Sequence, residues 1–128
     1  MDFKVRFSVK GQTLFVVPAT DLAGMNAHLS FVNKVLAEAK TGDIRRILLD
    51  ERAVRNSLEP FEAAVIGNIL SELDVQSMGF RMACVVAPCD LAAAKQLETM
   101  LVNRSLAFQS FDDMAVARRW LGVVQEAA

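Results

Sequence analysis

The stretch Ile44-Arg45-Arg46-Ile47-Leu48-Leu49-Asp50 constrains this 128-residue chain more than any other. Three consecutive large aliphatics, Ile47 to Leu49, leave a strand no polar face. It is therefore predicted as a central strand covered on both sides, as in a parallel sheet. Asp50 then stands at its carboxyl end. Ligands of open α/β folds bind outside such ends, so the loop Glu51 to Ser57 is the first place to look for chemistry. A helix predicted over Leu58 to Leu73 packs beside the strand. Its residues Phe61, Val65, Ile66, Ile69, Leu70 and Leu73 make an arc wide enough to touch both a sheet and neighbouring helices.

Upstream, Phe3, Val5, Phe7 and Val9 alternate with Lys4, Arg6, Ser8 and Lys10, the period of a half-buried strand. Lys10-Gly11-Gln12 turns the chain, and Thr13 to Val17 returns as far as Pro18, which predicts an antiparallel hairpin. Thr20 or Asp21 is the expected cap of a first helix, whose Leu22, Met25, Leu29, Val32 and Leu36 follow core-facing spacing. Thr41-Gly42-Asp43 ends it. Gly24, His28, Phe31 and Val35 form a second row, about a third of a turn away. Large apolar groups outside the core row predict either a partner surface, self-association included, or cover by another part of the same chain.

Asn56 or Ser57 is the expected cap of the second helix, with Pro60 in its first turn, and Gly67-Asn68 marks close packing in its middle. Met82 to Ala87 is a second buried strand halted by Pro88. Asp90 caps a third helix carrying Leu91, Ala94, Leu97 and Leu101, and Leu106 to Phe111 is the last strand. Asp112 caps a final helix with Met114, Ala117 and Leu121 inward, which Gly122 stops. The order β-β-α-β-α-β-α-β-α predicts an α/β fold over residues 1–122, followed by a C-terminal tail, 123–128. Its sheet is mostly parallel, of about five strands, with an N-terminal antiparallel hairpin and four helices.

Fourteen basic and fifteen acidic side chains give a net charge of -1, which supplies no footprint for nucleic acid and no general attraction to membranes. Charges interrupt every apolar stretch well short of the roughly 18 residues of a transmembrane segment, and the start does not read as a signal peptide. A cytoplasmic location is the expectation. Cys84 and Cys89 fit it, since their spacing matches neither a C-x-x-C pair nor a disulfide framework.

From Leu97-Glu98-Thr99 onward a recognisable pattern runs through Asn103-Arg104, Phe108 and Phe111-Asp112-Asp113 to Ala117 and Trp120-Leu121-Gly122. It resembles the end of bacterial SpoIIAA-like (STAS-like) domains, and Ile47 to Asp50 and Met82 to Ala87 resemble their middle strands. The likeness covers about residues 44 to 122, and its elements are caps, core positions and strand ends. It implies a SpoIIAA-like α/β domain that acts by binding and regulation. Family members include phosphorylation-switched antagonists of anti-sigma factors, and the wider superfold is similar to that of CRAL-TRIO lipid-binding proteins. The antagonists' Asp-Ser-Ser/Ala-Gly-Leu motif aligns near Asn56-Ser57-Leu58-Glu59-Pro60. Asn56 replaces its aspartate and the glycine is missing. Ser105 stands where the family has glycine.

The leading reading is thus a non-enzymatic module acting on an unknown protein partner, with His28, Phe31 and Val35 as the candidate interface. A carrier of a small apolar or anionic ligand is the alternative, with the Arg52 to Ser57 loop and the second helix as one wall. An antagonist switched at Ser57 is the third, since a phosphate at a helix start meets free N–H groups. Asp50, Arg52 and Arg55 are candidates for holding an anion, against the plainer readings of loop-fixing acceptor and solvated charges. No cofactor, metal site or catalytic residue is expected. His28 has no cysteine or paired carboxylate at ligand spacing, and the glycines form no phosphate-binding loop.

Overall fold

The aliphatic run Ile47 to Leu49 lies at the middle of a sheet in a computed structural model that describes residues 4–122. The expected tail, 123–128, and Phe3 fall outside the described residues. In chain order the elements are β1 (Val5–Lys10), β2 (Thr13–Pro18), β3 (Leu22–Ala23), α1 (Gly24–Gly42), β4 (Arg46–Asp50), β5 (Asn56–Ser57), α2 (Pro60–Glu72), β6 (Arg81–Val85), α3 (Leu91–Val102), β7 (Ala107–Phe111) and α4 (Met114–Leu121). Short 3-10 turns at Val75–Met78 and Pro88–Asp90 follow α2 and precede α3.

The main sheet has the order β1-β2-β4-β6-β7, antiparallel only between β1 and β2. This matches the expected α/β layout of hairpin, parallel strands and four α-helices. The ladder continues past the strands, where Glu51 N–H donates to Val85 O at 2.8 Å and Val86 N–H to Phe111 O at 2.9 Å. Glu51 is thereby fixed as an extra rung at the carboxyl end of β4.

Side-chain alternation sorts the helices onto two faces. Ile47, Leu49 and Cys84 join a cluster with Phe31, Val35, Ile66, Leu70 and Leu101 from α1, α2 and α3. Leu48, Ala83 and Val85 meet Ala117 and Leu121 of α4 on the other side. Gly67 packs tightly, as expected: an added Cβ would stand 3.1 Å from the Arg104 side chain, which bridges α2 and α3 through Asn68 Oδ1 and Met100 O.

The expected helix starts are corrected at four places. Leu22 and Ala23 are extended and pair in parallel with Asn56 and Ser57, so α1 begins only at Gly24. The two predicted caps of α1 hold other segments: Asp21 Oδ1 accepts from Arg55 N–H at 2.9 Å, and Thr20 Oγ1 from Lys4 N–H at 2.9 Å. Neither Asn56 nor Ser57 caps α2. Pro60 sets the first turn and forces the preceding Glu59 into extended geometry, so Glu59 becomes the cap in a reciprocal arrangement with Glu62. Asp90 occupies the cap position of α3 without a capping bond, because the 3-10 turn leads directly into the helix. Asp113, one residue beyond the expected Asp112, caps α4, its Oδ1 accepting from Ala115 N–H at 2.9 Å and Val116 N–H at 3.2 Å. Gly122 ends α4 in the left-handed region, at φ 81°.

Candidate functional site

Between the sheet and the three helices α1, α2 and α3 lies a chamber of about 90 Å³. One water needs roughly 10–15 Å³ of such space, so the chamber is not an ordinary packing void. Its walls are apolar: Phe31 and Val35 from α1, Ile66 and Leu70 from α2, Leu97 and Leu101 from α3, with Leu49, Met82 and Phe108 as floor. Ala93 and Ala107, both exposed, stand at its rim.

One end of the chamber is polar. Glu51 is only 5% exposed, and alternation along β4 and its continuation, Ile47, Leu49, Glu51, aims it at the helical face. Asn56 Nδ2 donates to Glu51 Oε1, and the Cys84 thiol bonds the same carboxyl group. Asn56 Oδ1 in turn lies 3.2 Å from His28 Nε2, while His28 Nδ1 donates to Gly24 O at 2.8 Å. The small sheet of β3 and β5 places Asn56 for this role, because its pairing brings the loop after β4 to the start of α1.

Hydrogen-bond donors and acceptors have to match along the chain Glu51–Asn56–His28. A carbonyl only accepts, so His28 Nδ1 carries a proton. A neutral ring then presents the Nε2 lone pair to another acceptor, Asn56 Oδ1. A protonated Glu51 that donates to an Asn56 amide turned end for end relieves the conflict, which leaves Asn56 Nδ2 to donate to His28 Nε2. Burial agrees. It pushes the Glu51 carboxyl up to about 7, against the lowering effect of bonds from Cys84 and Asn56, with the charges of Asp50 and Asp90 adding to the rise. Burial and the adjacent Glu51 also push the Cys84 thiol far above its ordinary range, which makes it a poor nucleophile.

The residues singled out from sequence divide between this chamber and the surface. His28, Phe31 and Val35 are buried, at 5%, 3% and 2% exposure, and all three line the chamber. The expected outward interface is thus corrected: the row faces the interior, where it shares the chamber with α2, α3 and the sheet, which is the same-chain alternative. Asp50, Arg52 and Arg55 lie outside the chamber. Arg52 Nε and Nη2 each donate to Asp50 at 2.9 Å, and Arg52 N–H donates to Asp50 Oδ1 at 3.3 Å. These bonds hold the Asp50 carboxyl below its ordinary range and commit the Arg52 guanidinium to it. Arg55 contributes its backbone, donating to Asp21 and accepting from Leu22 N–H. Ser57 is exposed in β5, and α2 starts beyond it at Pro60.

Glu51 was not singled out by sequence reasoning. The available signal was the strand period extended two residues past Leu49. Asn56 was read as a cap, whereas its side chain links two segments that the sequence pattern does not connect. Among the described residues no group of three or more His, Cys, Asp or Glu side chains is placed to hold a metal ion, and no helix is long and apolar enough to cross a membrane. No protein-family model matches the chain, and no curated protein matches it.

Proposed function

We propose that this protein is a SpoIIAA-like domain whose function is to bind a small molecule with an apolar body in the chamber beneath α1, α2 and α3. The single observation that carries the reading is the coexistence of an apolar chamber with one buried polar end. Binding sites for small molecules have that composition: apolar walls supply affinity and a few fixed polar groups supply orientation. The SpoIIAA-like assignment is supported by the N-terminal hairpin, the mostly parallel sheet and the capped final helix, which fit the layout that the resemblance implies. The role is binding, not catalysis. The chamber's one thiol is held protonated, and its histidine is engaged at both ring nitrogens.

This reading replaces protein–protein interaction through α1 as the leading one, because the apolar row that motivated the interaction is interior. The volume also narrows the ligand. A cavity of about 150 Å³ admits benzene, so a chamber of about 90 Å³ takes a short aliphatic chain rather than a whole lipid tail.

The test is titration of 1-butanol into the protein, followed by amide and methyl chemical shifts and by thermal unfolding. Saturable shifts confined to Ile66, Leu70, Leu97 and their neighbours, with a rise in melting temperature, are expected. Ile66→Trp, which fills the chamber, should abolish the saturable shifts. No saturable binding to wild type would overturn the reading.

A further inference from the structure

Building on the proposed ligand site, we infer that its occupant is a small primary amine, held with its alkyl body in the apolar chamber and its ammonium against the Glu51 carboxylate. The hydrogen-bond inventory of the polar end points to this class. The donors there are committed: His28 Nδ1–H to Gly24 O, Asn56 Nδ2 to Glu51, and Ser110 Oγ to Ala94 O at 3.3 Å. The Ser110 N–H is taken by Glu98 Oε1, and the Cys84 thiol by Glu51. A carboxylate has about four acceptor positions, and among the described residues Glu51 receives only Asn56 and Cys84. The chamber is short of donors, which an ammonium supplies threefold. A ligand carboxylate brings only acceptors and would leave them unpaired.

Charge selects in the same direction. Among the described residues no Lys or Arg lines the chamber and none forms an ion pair with Glu51. The groups facing Glu51 are Asp50 on its own strand, Asp90 before α3, Cys84 on β6, and His28 on α1 reached through Asn56. Two of these are acids. A buried anion without a countercharge is costly, and the triad's extra proton relieves it when no ligand is bound. An incoming ammonium takes over that role by donating to the Glu51 carboxylate and to the Oδ1 of the turned Asn56 amide, whose Nδ2 still donates to His28 Nε2. One R–NH3+ thus enters and one proton leaves to solvent, with the charge of the site unchanged. The proton-free form accepts the amine. With a carboxyl that titrates near 7, amine affinity should rise about 10-fold between about pH 6 and about pH 8, well below the roughly 10 at which an alkylamine loses its own charge.

Butylamine hydrochloride, 1-butanol and sodium butanoate, matched in length, form the test set. NMR titrations on wild type and Glu51→Gln at about pH 6 and about pH 8 are expected to rank amine above alcohol above carboxylate at the higher pH. The amine should weaken about 10-fold at the lower pH while the alcohol holds constant. Glu51→Gln should lose the preference for the amine, the pH dependence, or both, and still bind butanol. Should that variant not fold, the wild-type pH profile decides alone. Equal or tighter binding of butanoate, or an amine-to-alcohol ratio that neither pH nor Glu51→Gln alters, overturns the amine inference and leaves the apolar site standing. Failure of all three probes to bind overturns both.

Discussion

The two faces of the central sheet use neighbouring residues of the same strands and reach opposite results. On the α4 side, Leu48, Ala83, Val85, Phe111, Ala117 and Leu121 form a buried apolar cluster, with small Ala83 and Ala117 letting one helix approach the strands. Arg118 lays its guanidinium over the Phe15 ring with Nε buried, while two further arginines stay at the margin. The Arg81 guanidinium lies 4.0 Å from the centre of the Trp120 ring and donates to Trp120 O, and Arg46 donates to Gly122 O at 3.1 Å. Both arginines thus serve the carbonyls that α4 leaves unpaired at its end, where positive charge is also favoured by the helix dipole. On the opposite side, Leu49 and Cys84 face three helices that enclose a chamber, and a buried carboxyl group sits at its end. A face closed by one short helix is optimised for packing. A face closed by three converging helices has room to keep a polar group inside.

That difference is broken most directly by changing side-chain volume. Leu48→Ala or Leu121→Ala should cost about 2–5 kcal/mol in urea denaturation, since both side chains are fully buried in a cluster that has little freedom to collapse. The complementary change is more diagnostic. Ala83→Leu adds bulk to the filled face and should destabilise by about 1–3 kcal/mol, whereas Ala94→Leu adds it beside the chamber and should stay within about 1 kcal/mol of wild type. If the two insertions cost the same, the chamber is not open space.

Titration separates the faces by charge. The Glu51 carboxyl is raised in the folded protein from 4.5 to about 7, so the folded state binds its proton more tightly than the unfolded state does. Its contribution to stability is complete below about pH 4.5 and is lost as pH rises through about 7, on the order of 3 kcal/mol in all. Asp50 has the opposite sign: lowered by Arg52, it adds stability above its ordinary range that disappears as pH falls. Urea midpoints across this window should decline with rising pH in wild type and stay nearly flat in Glu51→Gln. Parallel profiles for the two proteins would show that Glu51 is not the titrating group.

The legibility of the molecule follows the same division. Strands were readable because Ile47 to Leu49 and the run from Met82 are apolar without interruption, a local signal that tertiary structure had only to accept. Helix starts were less so, because several capping residues compete within a few positions and distant contacts choose among them. Asp21 bonds Arg55 N–H instead of its own helix, and Pro60 moves the cap of α2 to Glu59. The chamber was the least legible part. The row His28, Phe31 and Val35 shows that α1 has a second apolar stripe, but periodicity does not say whether another chain or α2 and α3 will cover it. The polar triad joins residues 28, 51 and 56 across three elements, brought together by the extended β4–β6 ladder and the short β3–β5 pairing.

Two smaller effects sharpen the contrast at the edges of each face. Asp113→Ala removes the acceptor for two N–H groups at the start of α4 and should cost about 1 kcal/mol, loosening the α4 face only. Arg52→Ala acts beside the polar end without entering it. Its bond to Asp50 is partly exposed, so the stability lost should be below about 1 kcal/mol despite the two-pronged geometry. The carboxyl of Asp50 should then titrate nearer its ordinary value, followed by carbon-detected NMR of the side chain. Glu51 should respond little, because Asp50 contributes less to its shift than burial does. A large displacement of the Glu51 titration in Arg52→Ala would mean that the surface ion pair and the buried triad behave as one electrostatic unit, and the anion candidates on the loop would then belong to the chamber after all.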